Sequence, residues 1–309
     1  MLLIVLMLIL SVVILYFGAE FSLDASEKIG AKLGLSPLIV GMLLIGFGTS
    51  LPEFFVGHIA AAQGKSGIAI GSLVGSNIAN LFLILGLSGL FTNMQMNNKS
   101  LKHQLIVHLG LSLALWFVLT RETLTIFSAA PLLIICGIYL YLLFLDFKYE
   151  KKLVNENQDD FNPVLVLIKL CGGFGMLYIG GELLVKGASD LCTSLGISEY
   201  IVSAIFIAFG TSFPELVTSL MAIVKKKDKN LIVGNIIGSN LFNCAFILGS
   251  LGIYNFNISE DFTVEVYSLI FGASILLLLG YIGKPLNKLV SFIFLGTYGV
   301  VVAYWLKAF

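Results

Sequence analysis

The sequence holds two carboxylates in surroundings that penalise charge. Glu53 closes the segment Gly46-Phe47-Gly48-Thr49-Ser50-Leu51-Pro52-Glu53, and Glu215 closes Ala208-Phe209-Gly210-Thr211-Ser212-Phe213-Pro214-Glu215. Each lies in an apolar run where an acid costs roughly 2.5–3.5 kcal/mol on insertion scales. No lysine or arginine falls at that depth in either run, so the compensating charge has to be a proton or a bound cation. Spacing favours a cation. Thr49 and Ser50 precede Glu53 by four and three residues, and Thr211 and Ser212 stand in the same relation to Glu215, which sets hydroxyls on the carboxylate's side of a helix. Pro52 and Pro214 lack an N–H and clash with the carbonyls of Gly48 and Gly210, so each helix is expected to break. Freed carbonyls that line a cavity are ligands for hard cations.

A second duplicated segment follows each of these. Gly71-Ser72-Leu73-Val74-Gly75-Ser76-Asn77-Ile78-Ala79-Asn80 is matched by Gly234-Asn235-Ile236-Ile237-Gly238-Ser239-Asn240-Leu241-Phe242-Asn243. Ser76 with Asn80, and Ser239 with Asn243, present neutral oxygens along one helix face. Gly71 with Gly75, and Gly234 with Gly238, form small-residue faces that let helices approach closely. Two glutamates carry a charge that one Ca2+ or two Na+ would balance. Calcium accepts about 6–8 oxygens in loose geometry, whereas magnesium holds its waters and suits such a site less well. A hydrolase built on Ser50 or Ser212 would need a base at that depth, and none is apparent, so the chain is not expected to be an enzyme.

Composition fixes the setting. Of 309 residues 58% are hydrophobic and 12% charged, with 18 basic and 18 acidic side chains, against about 25% charged in soluble domains. This is expected to be an all-α integral membrane protein, with the bilayer as its surroundings. The neutral balance excludes a nucleic-acid partner, and no obligatory protein partner is evident. Cutting at polar clusters predicts ten transmembrane helices, at 2–23, 36–62, 67–91, 103–120, 123–147, 163–185, 199–224, 230–253, 262–283 and 289–306. Residues 1–147 and 163–309 then form two five-helix repeats joined by a polar linker, 148–162. Residues 15–62 align with 177–224 at an offset of 162 with 17 identities in 48, and 66–86 with 229–249 at an offset of 163 with 8 in 21. An odd number of spans per repeat inverts the second, an arrangement that suits alternating access better than a passive cation channel, which needs a continuous pore. With the N-terminus outside, cytoplasmic connections hold thirteen lysines and the external face four basic residues. The positive-inside bias therefore predicts both termini outside and the linker cytoplasmic. Lys169 is expected to snorkel from the sixth span.

The duplicated GTS-x-PE and G-S-N-x-x-N segments resemble the two alpha-repeats of the sodium/calcium exchanger family, within the calcium/cation antiporter superfamily. The resemblance covers essentially the whole chain, which lacks a large cytoplasmic regulatory domain, as in prokaryotic members. It implies exchange of external Na+ for Ca2+ through four clustered sites in a prokaryotic plasma (inner) membrane, with these ions as substrates and no cofactor. By the same resemblance Glu53 and Glu215 are shared central ligands, with Thr49 and Thr211 beside the calcium site. The carbonyl of Gly46 with Ser76, and that of Ala208 with Ser239, would complete flanking sodium sites. Ser50 and Ser212 would line the cavity, and Asn80 and Asn243 flank its centre. Some prokaryotic exchangers carry aspartate where this chain has Asn243, so the centre here has one fewer titratable group. H+/Ca2+ exchange and a K+-coupled variant remain alternatives on the same fold.

Other polar residues read as structural. Glu20 and Glu182 are equivalent under the repeat and fall near span ends, as interfacial or gate-lining carboxylates. His58 and His108 are expected to make structural hydrogen bonds. Lys225 to Lys229 reads as a topology signal, and Asp159 and Asp160 as part of a solvated loop. Cys136, Cys171, Cys192 and Cys244 lack metal-ligand spacing and behave as small hydrophobes.

Overall fold

Within hydrocarbon every backbone N–H and C=O must be satisfied inside its own segment, so apolar runs of spanning length become helices. A computed structural model describes residues 2–150, 162–194, 212–258 and 260–306. In order these form α1 (Leu2–Leu33), the bent pair α2 (Pro37–Thr49) and α3 (Leu51–Ala62), α4 (Ser66–Phe91), α5 (Lys99–Leu119) and α6 (Ala130–Glu150). The second half supplies α7 (Pro163–Ser194), α8 (Phe213–Val224), α9 (Lys229–Tyr254), α10 (Thr263–Ile282) and α11 (Lys288–Trp305). Among the described residues eight helices are long and apolar enough to cross a membrane, or nine with α2 and α3 as one span. α8 is a shorter apolar helix. The expected first part of its span, 199–211, lies outside the described residues, as do linker residues 151–161 with Asp159 and Asp160.

Two helices outrun their expected ends. α1 and α7 each extend to 32 residues, because the charges that follow the apolar run in α1 find partners instead of stopping the helix. Asp24 Oδ2 lies 3.1 Å from Lys169 Nζ and 3.4 Å from Lys28 Nζ. Glu20 Oε1 lies 2.7 Å from Lys225 Nζ, and Glu27 pairs with Lys227. Lys169 thus has a carboxylate partner, and Glu20 is an ion-pair residue. The hydrogen bond to Glu20 holds the Lys225 ammonium above its ordinary pKa. α1 ends where Gly34 adopts φ +69°, a left-handed turn that glycine takes without steric cost.

The expected fifth span starts late. Residues Thr123–Leu124 form β1, paired antiparallel with β2 (Phe256–Asn257), Thr123 opposite Asn257. Ser128 Oγ accepts from the Thr125 N–H at 2.7 Å, a local side-chain turn that competes with helix, and α6 begins at Ala130.

The centre of the bundle belongs to α4 and α9. Buried residues make up 83% and 89% of their apolar stretches, against 22% in α1 and 17% in α11. The outer helices turn large apolar side chains such as Leu6, Ile9, Ile134, Ile168 and Phe292 outward, which suits a lipid-facing surface. α1 packs chiefly along α7, through a glycine seam. Gly173, Gly180 and Gly187 recur every seven residues on α7. A methyl group at Gly173 would meet the Ser22 nitrogen at 2.6 Å, and one at Gly18 the Leu177 nitrogen at 2.9 Å. Backbone meets backbone here, so an added side chain has nowhere to go. Gly173→Val is expected to cost about 1–3 kcal/mol through overpacking; an unchanged melting temperature of the detergent-solubilised variant would contradict this seam.

Candidate ion-binding site

Ser50 is the pivot between α2 and α3, with φ −85° and ψ 5°, and the two axes bend by 43°. Ser212, immediately before α8, has φ −86° and ψ 5°. Pro52 and Pro214 each sit in the first turn of the helix that follows, where the missing N–H would be unpaired anyway. The break expected around Pro52 therefore falls on Ser50; the segment before Ser212 lies outside the described residues. Glu53 and Glu215 are first-turn residues of α3 and α8, where the helix dipole favours a negative charge.

The facing wall is built by α4 and α9. Each widens into a π-helical stretch at matching places, Ala79–Ile84 and Phe242–Leu248, so that Asn80 and Asn243 lie in the wider turns. Such turns concentrate at functional sites, and nothing in the hydrophobic pattern announced them. α9 crosses α2 with almost no side chain between. A methyl group at Gly238 would lie 2.6 Å from the Met42 carbonyl oxygen, and one at Gly46 2.9 Å from the Ser239 nitrogen. The close approach expected of Gly234 and Gly238 is thus realised. Gly71 differs, since a methyl there would meet no heavy atom within 4 Å among the described residues.

This crossing interleaves the two halves. Thr49, Ser50, Glu53, Ser76 and Asn80 are buried together with Ser212, Glu215, Ser239 and Asn243. Ser76 Oγ donates to Glu53 Oε1 at 2.8 Å and lies 2.7 Å from Ser212 Oγ. Ser50 Oγ and Ser239 Oγ each donate to Glu215 Oε1 at 3.3 Å. Asn243 Nδ2 donates to Ser76 Oγ at 3.4 Å. Ser239 Oγ also lies 3.1 Å from the Gly46 carbonyl oxygen and 3.4 Å from Thr49 Oγ1. Gly46 is therefore the neighbour of Ser239, from the other half, rather than of Ser76 as the resemblance implied. The glycine crossing is the cause, because it lays Gly46 directly on the α9 backbone. Ala208 and Thr211 lie outside the described residues.

The donor set fits hard cations. Among the described residues, Glu215 Oε2, Asn243 Oδ1 and both polar side-chain atoms of Asn80 are buried without a hydrogen-bond partner. Each such atom costs about 1–3 kcal/mol, a penalty that a coordinated cation would remove from the oxygens. A cavity of about 340 Å³ flanks the hinge, lined by Thr49, Pro52, Phe174, Tyr178 and Pro214 among others. The Phe174 ring packs on Gly48.

Several buried polar residues escaped the sequence reading. Asn77 Nδ2 donates to the Asn240 carbonyl at 3.0 Å and Asn240 Nδ2 to the Asn77 carbonyl at 3.4 Å, a reciprocal tie between the two central helices. Their duplication in the second motif was the available signal. His108 Nε2 lies 3.3 Å from Asn240 Nδ2. His58 bridges Tyr254 Oη at 3.2 Å and Ser250 Oγ at 3.0 Å, so both histidines make structural hydrogen bonds. Asn235, Thr218 and Ser219 form a further buried cluster; none of the three is repeated in the first half, so the duplication gave no signal for them.

Helices long and apolar enough to cross a membrane close around buried carboxylate, hydroxyl and carbonyl oxygens, a donor set that suits an ion transporter. The family model described as sodium/calcium exchanger protein matches residues 3–145 and 165–307. The chain belongs to that family. It is 28% identical over 290 residues to the sodium/calcium exchanger MaX1 of Methanosarcina acetivorans, covering 81% of this chain and 82% of that one. It is 31% identical over 250 residues to the putative antiporter CaxA of Alkalimonas amylolytica, covering 78% and 77%. Among solved structures it is similar to the sodium-calcium exchanger NCX_Mj, with a TM-score of 0.82 at 28% identity over 98% of both chains.

Ser76 links both carboxylate-bearing hinges. Ser76→Ala is expected to lower stability by about 1–3 kcal/mol, since it strips a buried carboxylate and a buried hydroxyl of a partner. Thermal unfolding in detergent reads this out, and an unchanged midpoint would show that the contact carries no weight.

Proposed function

We propose that this chain exchanges Na+ for Ca2+ by alternating access, binding the ions between its two halves at Glu53 and Glu215. The observation that carries the reading is the interleaving of the two halves, in which hydroxyls of each reach carboxylate or carbonyl oxygens of the other. Thr49, Ser50, Ser76, Asn80, Ser212, Ser239, Asn243 and the Gly46 carbonyl complete the oxygen shell, and Ala208 and Thr211 join it by equivalence. One Ca2+ or two Na+ neutralise the two carboxylates, and bidentate carboxylates with hydroxyl and carbonyl oxygens meet the six to eight ligands calcium accepts. The names of MaX1 and NCX_Mj support this choice of ions. Asn243 leaves the centre with one fewer titratable group, which argues against proton uptake at that position.

Alternation follows from the hinges. With five spans in each of 1–147 and 163–309 the second repeat is inverted, and the ten-helix bundle has a broken helix facing each side. The matched dihedrals at Ser50 and Ser212 support two equivalent hinges, and the family match to each half supports the repeat. Thirteen of the basic residues lie on one set of connections, so the linker and those ends are assigned to the cytoplasm and both termini to the outside.

Glu53→Gln or Glu215→Gln is expected to abolish Na+-driven Ca2+ uptake in proteoliposomes while leaving a folded, monodisperse protein. Full activity in either variant removes the site assignment, and uptake independent of sodium removes the driving ion. A cysteine introduced by Lys99→Cys is expected to react with an impermeant maleimide only from the cytoplasmic face; labelling from outside reverses the topology.

A further inference from the structure

The buried cluster around Asn235 is used by none of the ligand contacts above, yet it touches the site at Thr49. Asn235 is 2% exposed, and Thr218 and Ser219 are each 1% exposed. Thr218 Oγ1 donates to the Pro214 carbonyl at 2.8 Å. A carbonyl only accepts and a hydroxyl has one hydrogen, so Thr218 can only accept from Asn235. The amide nitrogen of Asn235 therefore faces Thr218, at 3.1 Å, and Ser219, at 3.4 Å. Its oxygen is left to face Thr49 Oγ1, at 3.3 Å. The chain of donation is anchored on the Pro214 carbonyl and cannot reverse.

Thr49 sits where this matters. Its hydroxyl lies 3.4 Å from Ser239 Oγ, which with Ser50 Oγ donates to Glu215 Oε1. A hydroxyl serves a cation through its lone pairs, so its hydrogen must then point at some other acceptor. Asn235 Oδ1 is such an acceptor, supplied from α9, beside the Ile45 carbonyl at 3.0 Å within α2. Among the described residues the first half shows no copy of the arrangement. Ser72 stands at the equivalent of Asn235 and donates to the Ala69 carbonyl of its own helix at 3.2 Å. Val56 and Gly57 occupy the equivalents of Thr218 and Ser219.

We propose that Asn235 is a positioning residue that turns the Thr49 hydroxyl so its oxygen faces the ion, making Thr49 a better Na+ ligand. The inference rests on the cation-site reading of Glu53 and Glu215. Thr218 sets the direction of the Asn235 amide, and Thr49 is the group through which Asn235 acts.

Isothermal titration of the purified full-length protein with NaCl tests this apart from transport. Asn235→Ala is expected to raise the Na+ dissociation constant about fivefold, the loss of one modest hydrogen bond. In a Thr49→Val background the same replacement is expected to change it less than twofold, because the group it orients is gone. Thr218→Ala, which keeps Asn235 and removes the acceptor that fixes its amide, is expected to weaken Na+ in the same direction, and carries the test if Asn235→Ala fails to fold. An equal effect of Asn235→Ala in both backgrounds, or no effect of either variant on Na+ while wild type binds it, overturns the positioning role and leaves the cation site standing. Wild-type protein that binds neither Na+ nor Ca2+ overturns both.

Discussion

Everything in this fold answers to the burial of two carboxylates at the centre of an apolar bundle. Glu53 and Glu215 are 0% exposed, and a charge so placed is held only where oxygens, dipoles and counter-charge are arranged around it. Serine hydroxyls reach them from the next helix of the same half, Ser76 to Glu53 and Ser239 to Glu215, and from the opposite half, Ser50 to Glu215. Helix first turns point their dipoles at the carboxylates. The ion pairs described in the structure, such as Lys225 with Glu20 and Lys169 with Asp24, gather instead where the end of α1 meets α7 and the loop after α8. These lysine–carboxylate pairs sit at one end of the bundle.

Close helix crossing makes this affordable in space. Neutral oxygens can surround a carboxylate only if the helices that bear them come nearer than ordinary side chains allow. Glycine at positions 41, 46, 234 and 238 removes the obstruction between α2 and α9, and so brings the Gly46 carbonyl within reach of Ser239. The π-helical turns act with it, since each inserts an extra residue into the helix and changes which side chains face the hinge from Asn80 and Asn243 onward. On the proposed reading, ligands drawn from both halves would also couple them mechanically, since movement of one hinge would alter the coordination offered by the other half. Were three Na+ to return for one Ca2+, the one net charge moved would be worth about 2.3 kcal/mol per 100 mV.

Much of this was legible in the sequence because it is written twice. The duplicated GTS-x-PE and G-S-N-x-x-N segments picked out Glu53, Glu215 and their hydroxyl partners, and Pro52 announced the break at Ser50. Among the described residues apolar length located the helices to within a few residues, except where α1 and α7 run past their expected ends, or where Thr123 to Ser128 closed a side-chain turn in place of helix. What a single chain pattern cannot carry is the relation between segments. Pairing Gly46 with Ser76 was a reading along one half; the structure pairs it with Ser239, because the decisive contact is a crossing between halves. The π-helical turns were hidden for another reason, in that their residues suit ordinary α-helix equally well.

Duplication is also why Asn235 went unread. A search for repeated residues finds what two halves share, and is blind to what one of them has acquired. Ser72 satisfies its hydroxyl within its own helix, whereas Asn235 spans from α8 to Thr49, and Val56 and Gly57 in the first half offer no side-chain hydrogen bond where Thr218 and Ser219 do. A common backbone plan therefore does not imply common energetics: two ligand sets related by the repeat can differ by a buried hydrogen bond, on the order of 1 kcal/mol or about fivefold in affinity. In a carrier that must hold two kinds of ion in turn, unequal halves are a means of ordering which positions fill first, and the residues that break the repeat are the place to look for that order.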